Sequence, residues 1–415
     1  MKEKAKNKLG VEPYKGVRDF YPEDMAIQKY IFNVMAKTAE SFGYCEYGAS
    51  VLEPSELYRA KSGEEIVNNQ MYSFIDRGER EVSLRPEMTP TVARMIAAKR
   101  KEMSFPARWY SIPNLFRYER PQRGRVREHW QLNVDIFGID GIEAEIEIIS
   151  LAYKLMKNFG AKDSDFVVRI NSRVLMNEYF EKLGLKDEQI YKLQKLIDKK
   201  SKIDQKEYEA GLLEIAGKKI KVNINPNKKI EKLIFSLQEI GVNNVVFDPE
   251  LMRGLDYYTD IVFEIFDTNP ENSRAMFGGG RYDDLLTIFG VEKVPAVGFG
   301  MGDVTIRDFL ETRKLLPQYK SPAQLYVCVI DEKTKEFATN FAMSLRDSGI
   351  NVSVDYSLKK VGDQIKKASK DGVSYIVCIG ENETKTNLFK VKNLETGIEK
   401  ELSIEKIADS IKNKK

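Results

Sequence analysis

Two alternating stretches flank one arginine-dense segment, and this arrangement constrains the chain more than any other feature. Arg108-Trp-Tyr-Ser-Ile-Pro-Asn-Leu-Phe-Arg117 and Trp130-Gln-Leu-Asn-Val-Asp-Ile-Phe137 alternate apolar with polar residues, the period of antiparallel strands with one face in a core. Between and overlapping them, Phe116-Arg-Tyr-Glu-Arg-Pro-Gln-Arg-Gly-Arg-Val-Arg-Glu-His-Trp-Gln131 carries five arginines and two carboxylates in sixteen residues. A guanidinium placed against a core is costly unless an anion meets it, so the cluster predicts a polyanionic ligand. A solvated basic hairpin is the alternative. The strand pattern on both sides favours the first, because it sets Arg117, Glu119 and Gln131 at strand ends, where rigid backbone can aim them.

Bulk charge is not the source of that basicity: 66 Lys and Arg oppose 63 Asp and Glu, for a net +3. Any surface for nucleic acid must come from local clustering. With 42% hydrophobic and 31% charged residues in 415, the chain has the composition and length for two to three globular domains. No run long and apolar enough to span a membrane occurs and no secretory signal opens the chain, so a cytoplasmic protein with no membrane partner is expected. Cys45, Cys328 and Cys378 are odd in number and far apart, which favours buried free thiols in a reducing compartment over disulfides or zinc. His129 is the only histidine. Multi-histidine metal sites are therefore excluded, no metal is assigned to protein ligands, and the chemistry falls to Arg, Glu, Asp, Gln and Tyr.

Along the chain, residues 17 to 43 carry Ile27, Tyr30, Ile31, Val34, Met35 and Ala39 at helical spacing, and Tyr44 to Leu52 reads as a strand. A second helix is expected over 141 to 158. Helical segments rich in lysine (Lys192, Lys195, Lys199, Lys200, Lys202, Lys206) then separate the strand-like runs Phe166-Val-Val-Arg-Ile170 and Val245-Val-Phe-Asp248. The expected domains are a core in two parts, 1–170 and 236–318, a helical insertion at 171–235, and a C-terminal domain at 322–415. In the last, Leu325-Tyr-Val-Cys-Val-Ile330, Val352-Ser-Val-Asp-Tyr356 and Tyr375-Ile-Val-Cys-Ile379 alternate with helical patterns, as in a small α/β domain. The glycines at 278–280 and 298–302 fit neither a phosphate loop nor a dinucleotide fold. They read as places where backbone approaches a ligand or another strand closely.

Phe116-Arg117-Tyr118-Glu119 and the basic loop after it resemble motif 2 of the class II aminoacyl-tRNA synthetases. Arg253-Gly-Leu-Asp-Tyr-Tyr-Thr259 resembles the signature peptide of the histidyl-tRNA synthetase family, with Leu84-Arg-Pro-Glu-Met-Thr89 ahead and Phe277-Gly-Gly-Gly-Arg-Tyr-Asp283 behind. The resemblance runs from about Gly16 to the C-terminus. It implies an α+β fold: a class II antiparallel-sheet core with the helical insertion, plus an α/β anticodon-binding domain marked also by Ser357-Leu-Lys-Lys360. It implies L-histidine, ATP with Mg2+, and tRNA(His) as substrates, and a homodimer built on the helix and strand at 17–52, where Ser50 replaces the family's usual proline.

By the same resemblance Arg117 holds the α-phosphate, Glu119 the adenine end, and Arg125 the terminal phosphates. Arg253 is a fixed cation at the reacting centre; the alternative for it is a structural ion pair with Asp256. Glu87, Thr89 and Gln131 are assigned to the α-amino group, and Asp135 and Tyr258, beside Tyr257, to the imidazole. Asp135 stands where the family usually has Glu. Arg120, Gln122 and Arg127 are candidate contacts for the tRNA acceptor end. His129 takes the place of an aromatic that packs on adenine, or is a surface residue. The family's motif 3 ends Gly-x-Glu-Arg, whereas here Thr305 occupies the arginine's place and Arg307 lies two residues late, a turn of about 200° on a regular helix. A longer turn after Gly302 is expected to bring Arg307 back to ATP. The rival reading is a non-catalytic synthetase-like regulatory or tRNA- or histidine-sensing protein, which the altered motif 3 would suit.

Overall fold

The structure, a computed structural model, describes residues 10–412 apart from 61, 64, 65, 199, 201, 202, 219, 221, 223, 273 and 274. Lys199 and Lys202 lie outside the described residues. The chain divides into two units, Met1–Leu316 and Pro317–Lys415.

In the first unit, strands β1 (Cys45–Glu46), β2 (Leu52–Pro54), β3 (Tyr72–Ile75), β4 (Glu81–Leu84), β5 (Ala107–Ser111), β6 (Asn114–Phe116) and β7 (Glu128–Phe137) precede the insertion. Strands β8 (Phe166–Ser172) and β9 (Val245–Phe247) bracket it, and β10 (Ile261–Asp267), β11 (Ala275–Arg281) and β12 (Ala296–Gly302) follow. One large sheet runs β1-β5-β7-β12-β11-β10-β8-β9, with β6 paired to β7; β2, β4 and β3 make a small sheet of their own. From β5 to β8 every neighbour is antiparallel, and only the edge pairs β1 with β5 and β8 with β9 are parallel.

Period-two alternation gives this sheet two unlike faces. On β7, Leu132, Val134 and Ile136 are buried in the main core with Ile31, Met35 and Ala39 of α1 (Pro22–Ser41) and Ile148, Leu151 and Leu155 of α4 (Glu143–Asn158). Gln131, Asn133 and Asp135 occupy the opposite face. Helices α2 (Ser55–Arg59) and α3 (Thr89–Lys99) come before α4, and α5 (Arg173–Lys182), α6 (Asp187–Asp198), α7 (Gln205–Ala216) and α8 (Lys228–Glu239) fall between β8 and β9. Helix α9 (Asp303–Thr312) closes the unit and buries Ile306, Phe309 and Leu310 in the main core.

The expected strand over Tyr44 to Leu52 is broken. Only Cys45–Glu46 and Leu52–Pro54 are paired, because the buried Arg85 guanidinium takes the carbonyls of Ala49 (2.8 Å) and Ser50 (3.3 Å) that a strand would spend on a neighbour. Cys45 is exposed rather than buried; Cys328 is buried and Cys378 half-buried.

The second unit is a five-stranded sheet in the order β14 (Val352–Asp355), β13 (Leu325–Val329), β15 (Tyr375–Ile379), β16 (Phe389–Asn393), β17 (Glu399–Leu402). The first three are parallel and the last two antiparallel. Helices α10 (Lys335–Asp347) and α13 (Ile404–Lys412) bury Phe341, Leu345, Ile407 and Ile411 with Val327 and Ile379 on one face, while α11 (Val361–Lys370) puts Ala368 against Tyr326 and Ile376 on the other. The short α12 (Glu381–Thr386) lies between β15 and β16. No helix among the described residues is long and apolar enough to cross a membrane.

Candidate active site

A cavity of about 320 Å³ opens on the polar face of the large sheet. Its floor is the row Gln131, Asn133 and Asp135 on β7 beside Gly298 and Gly300 on β12. A side chain on Gly298 would collide with the Asp135 carboxylate, and one on Gly300 with Gln131. Small residues on β12 therefore leave the β7 row its room, as the glycine pattern suggests.

Two of the cavity's carboxylates are enclosed. Glu87, in the segment that leads into α3, is 3% exposed, and its Oε2 accepts from the Tyr257 hydroxyl at 3.2 Å. That hydroxyl also lies 3.3 Å from Thr89 Oγ1. The other carboxylate oxygen of Glu87, Oε1, is buried without a hydrogen-bond partner among the described residues. Burial pushes the Glu87 pKa up, against the opposing effect of the nearby Ser62 hydroxyl, the field of Arg117 and the Tyr257 hydroxyl. Deeper in, Asp135 accepts from the Tyr282 hydroxyl, and burial raises its pKa to about 7. The Tyr257 and Tyr258 rings, 4.9 Å apart, form a wall.

The cavity is also lined by cations. Arg117, just past β6, is held by Nε donating to Pro86 O at 2.8 Å, which leaves its remaining N–H groups to face the cavity. Arg253 lies with its guanidinium 5.5 Å from the centre of the Tyr258 ring and pairs with Glu264 at 3.1 Å. Asp256 is not its partner: Lys195 of α6 takes Asp256 at 2.6 Å. Arg173 of α5 binds the Leu255 and Tyr258 carbonyls, both at 3.0 Å. The loop carrying Arg253 is thus strapped from the helical insertion, whose Asp198 also lines the cavity. Glu119 and Arg125 face each other across the mouth at 3.4 Å.

The arginine-dense segment is a hairpin whose tip is closed by mutual backbone bonds between Gln122 and Arg125. Arg120 and Gln122 are exposed on it. Arg127 is a correction to the expected acceptor-end contacts. It is 8% exposed, donates to Tyr14 Oη at 2.8 Å and Glu119 O at 3.2 Å, and lies 4.1 Å from the centre of the Tyr118 ring. Its charge is spent inside the hairpin because the segment around Gly16 packs on that side, with Arg127 N bonded to Gly16 O.

Arg307 is a second correction. Helix α9 begins at Asp303, directly after Gly302, so no longer turn intervenes. The side chain points to Asp24 (2.7 Å) and Glu311 (3.0 Å) instead of lining the cavity. His129 extends the β7 row past Gln131 and is half-buried, outside the cavity lining. Burial, with Arg117 and Arg18, lowers its pKa to about 3, so the ring is neutral.

The structure adds cavity residues that the sequence reading does not single out. Asn133 was findable, since it shares the period-two row with Gln131 and Asp135. Tyr282 stands inside the quoted Phe277–Asp283 motif, where the glycines draw attention away from it. Gln70 and Asp198 carry no local signal.

An antiparallel sheet whose cavity is lined from a basic hairpin and from a strapped, arginine-bearing loop, followed by a separate α/β unit, defines a class II aminoacyl-tRNA synthetase. The histidyl-tRNA synthetase family model matches residues 16–304, and the anticodon-binding domain model matches residues 324–414. The chain belongs to the histidyl-tRNA synthetase family. It is 44% identical to the histidine–tRNA ligase of Leptospira biflexa, over 93% of this chain and 94% of that one. Identity to the Thermoplasma volcanium ligase is 38%, over 94% and 95%. Among solved structures, histidyl-tRNA synthetase from Nostoc sp. PCC 7120 shares the fold at a TM-score of 0.79 and 23% identity, covering 97% of this chain and 99% of that one. A protein from Bacillus halodurans titled as an ATP phosphoribosyltransferase regulatory subunit/histidyl-tRNA synthetase shares it at 0.69 and 22%, covering 88% and 97%.

Proposed function

We propose that the protein activates L-histidine with ATP and transfers the histidyl group to tRNA(His), releasing pyrophosphate and then AMP. The observation that carries this reading is the lining of one cavity, which brings two buried carboxylates, Glu87 and Asp135, together with the guanidiniums of Arg117 and Arg253. A zwitterionic amino acid with a basic ring fits these carboxylates, with its own carboxylate directed toward the arginines. The α-phosphate of ATP meets that carboxylate between Arg117 and Arg253.

The first step needs positive charge where the pentacoordinate phosphorus forms, and little proton transfer. Arg253 is suited to it because the insertion straps, Glu264 and Tyr258 hold it in place before substrate arrives, so no reorganisation is needed in the transition state. Glu119 and Arg125 hold the nucleotide at the mouth, with His129 toward the adenine. Mg2+ enters as part of the MgATP substrate.

Histidine is selected by polar groups that a wrong side chain would leave unpaired. The α-ammonium binds Glu87, whose Oε1 is unsatisfied, together with Thr89 and Gln131; Tyr257 holds the Glu87 carboxylate in position. The imidazole N–H donates to Asp135, and Tyr258 serves the second ring nitrogen. Each buried group left without a partner costs about 1–3 kcal/mol, enough to exclude apolar isosteres. Asp135 reaches less far than the family's Glu, and the glycines of β12 let the ligand approach it.

For transfer, exposed Arg120 and Gln122 at the hairpin tip face the acceptor end, and the C-terminal unit takes the anticodon. A homodimer assembled on α1 and a cytoplasmic location complete the proposal. Relatives named as ligases match over nearly the whole chain, including the second unit, which favours the enzyme over a regulatory protein. Charging of total tRNA with each of twenty labelled amino acids tests the reading. Histidine alone should become acid-precipitable, and labelling with another amino acid, or with none, would overturn it.

A further inference from the structure

The floor of the cavity holds one polar side chain to which the reaction above gives no task. Asn133 lies between Gln131 and Asp135 in the β7 row, lines the cavity, and is 5% exposed. Its Nδ2 donates to Gln131 O at 3.0 Å. That bond fixes the carboxamide and turns Oδ1 away from the Gln131 carbonyl. Oδ1 has no hydrogen-bond partner among the described residues. The neighbouring strands do not supply one. Asn133 stands opposite Gly300 on β12, which has no side chain, and opposite Ser111 on β5, whose hydroxyl makes no bond to it.

A buried carbonyl oxygen with its lone pairs unspent is costly unless a ligand donor meets it. An apolar residue would fill the same place in the floor without that cost, so the acceptor points to a ligand. Histidine carries donors of two kinds, the α-ammonium and one imidazole N–H, and the ring N–H goes to Asp135. The α-ammonium has three N–H groups, of which Glu87 Oε1 and Gln131 meet two. Thr89 Oγ1 is already engaged by Tyr257 Oη at 3.3 Å, so the third is met incompletely. Same-face neighbours on a strand stand about 6–7 Å apart. A nitrogen held between the Gln131 and Asn133 side chains is therefore within hydrogen-bonding reach of both.

We propose that Asn133 is a further histidine-binding residue, whose Oδ1 accepts from the α-ammonium. It makes the site select an α-amino acid over a ligand with the same ring and carboxylate but no amine. Gly300 keeps this stretch of the floor open, since a side chain there would collide with Gln131. The proposal rests on the histidine-activating reading above.

Histidine-dependent pyrophosphate exchange at pH 8 is measured on the wild type, Asn133→Ala and Asn133→Asp, with thermal melts to check folding. Two analogues serve as inhibitors: histidinol keeps the amine and lacks the carboxylate, whereas 3-(imidazol-4-yl)propionate keeps the carboxylate and lacks the amine. Asn133→Ala should raise KM for histidine and Ki for histidinol by roughly tenfold to a hundredfold, the loss of a hydrogen bond to a charged group. Ki for the propionate should stay within about threefold and KM for ATP within about twofold, because neither ligand makes that bond. Asn133→Asp keeps the acceptor and loses the donor to Gln131 O, so its KM for histidine should lie within about threefold of the wild type or below it. Equal weakening of histidine, histidinol and the propionate, or an Asn133→Asp variant as weak as Asn133→Ala, would assign Asn133 to holding the Gln131 backbone and overturn the proposal. An unchanged KM for histidine in Asn133→Ala would overturn it too, and in each of these cases exchange by the wild type leaves the enzyme reading intact. A wild type without exchange activity would remove both.

Discussion

Asp135→Asn should make the protein more stable in base and weaken its binding of histidine. Asp135 is buried, and its pKa stands at about 7 against an ordinary value of 3.8. The folded state therefore binds this proton more tightly than the unfolded chain does. The group's stabilising contribution is complete below about pH 4 and is lost as pH rises to about 7. Three pKa units correspond to about 4 kcal/mol. Asparagine keeps an acceptor for Tyr282 and cannot ionise, so it removes that loss, but it buries an NH2 group whose poor pairing costs about 1–3 kcal/mol. The net gain is about 1–3 kcal/mol above pH 7, shrinking by roughly 2 kcal/mol at pH 5.5, where the wild-type carboxyl is already mostly neutral in the fold. Urea unfolding of both proteins at pH 5.5 and pH 8 reads the difference. The same substitution should raise KM for histidine by about tenfold or more, since an imidazole N–H loses a charged acceptor. In the wild type that KM should fall as pH rises through 7. Parallel stability profiles for the two proteins, or an unchanged KM for histidine, would refute the assignment of a buried, titrating Asp135 to the imidazole.

Other consequences follow from the same contacts. Arg127→Glu should disorder the motif 2 hairpin and abolish exchange as well as tRNA charging, whereas Arg120→Glu should leave exchange intact and raise KM for tRNA; exchange and charging assays side by side separate the two. Arg307→Ala should leave KM for ATP within twofold and lower stability by no more than about 1 kcal/mol, since its ion pairs are partly solvated. Lys195→Met should lower kcat of exchange about fivefold with smaller changes in either KM, because it loosens the loop that positions Arg253, a loss of about 1 kcal/mol. Arg281→Met should cost about 3–5 kcal/mol in urea unfolding, because it leaves Glu145 (1% exposed) buried without its 2.6 Å partner.

What the sequence reveals here is what local periodicity and motif spacing encode. The β7 row shows itself in the alternation of Trp130 to Phe137, and α1 and α4 in their apolar spacing. The motif peptides bring Glu87, Arg117, Asp135, Arg253 and Tyr258 to a single cavity. The readings that change all depend on partners far away in the chain. Arg127 looks like one more basic residue of an exposed loop until the segment at Tyr14 and Gly16 folds over it. Arg307 lies two residues from the motif position, but helix phase and Asp24 of α1 decide where it points. The strand at 44–52 is interrupted by Arg85, and Arg18 finds its partner in Asp303. Long-range ion pairs have no period, so pattern alone does not find them.

Pyrophosphate exchange into ATP with each amino acid in turn, on the wild type and Arg253→Ala, reads out whether Arg253 and the carboxylate-lined pocket together make histidyl-adenylate. Exchange with histidine alone, lost by at least a hundredfold in a variant that melts like the wild type, is the predicted result; exchange that persists in Arg253→Ala, or that any other amino acid supports equally, would contradict it.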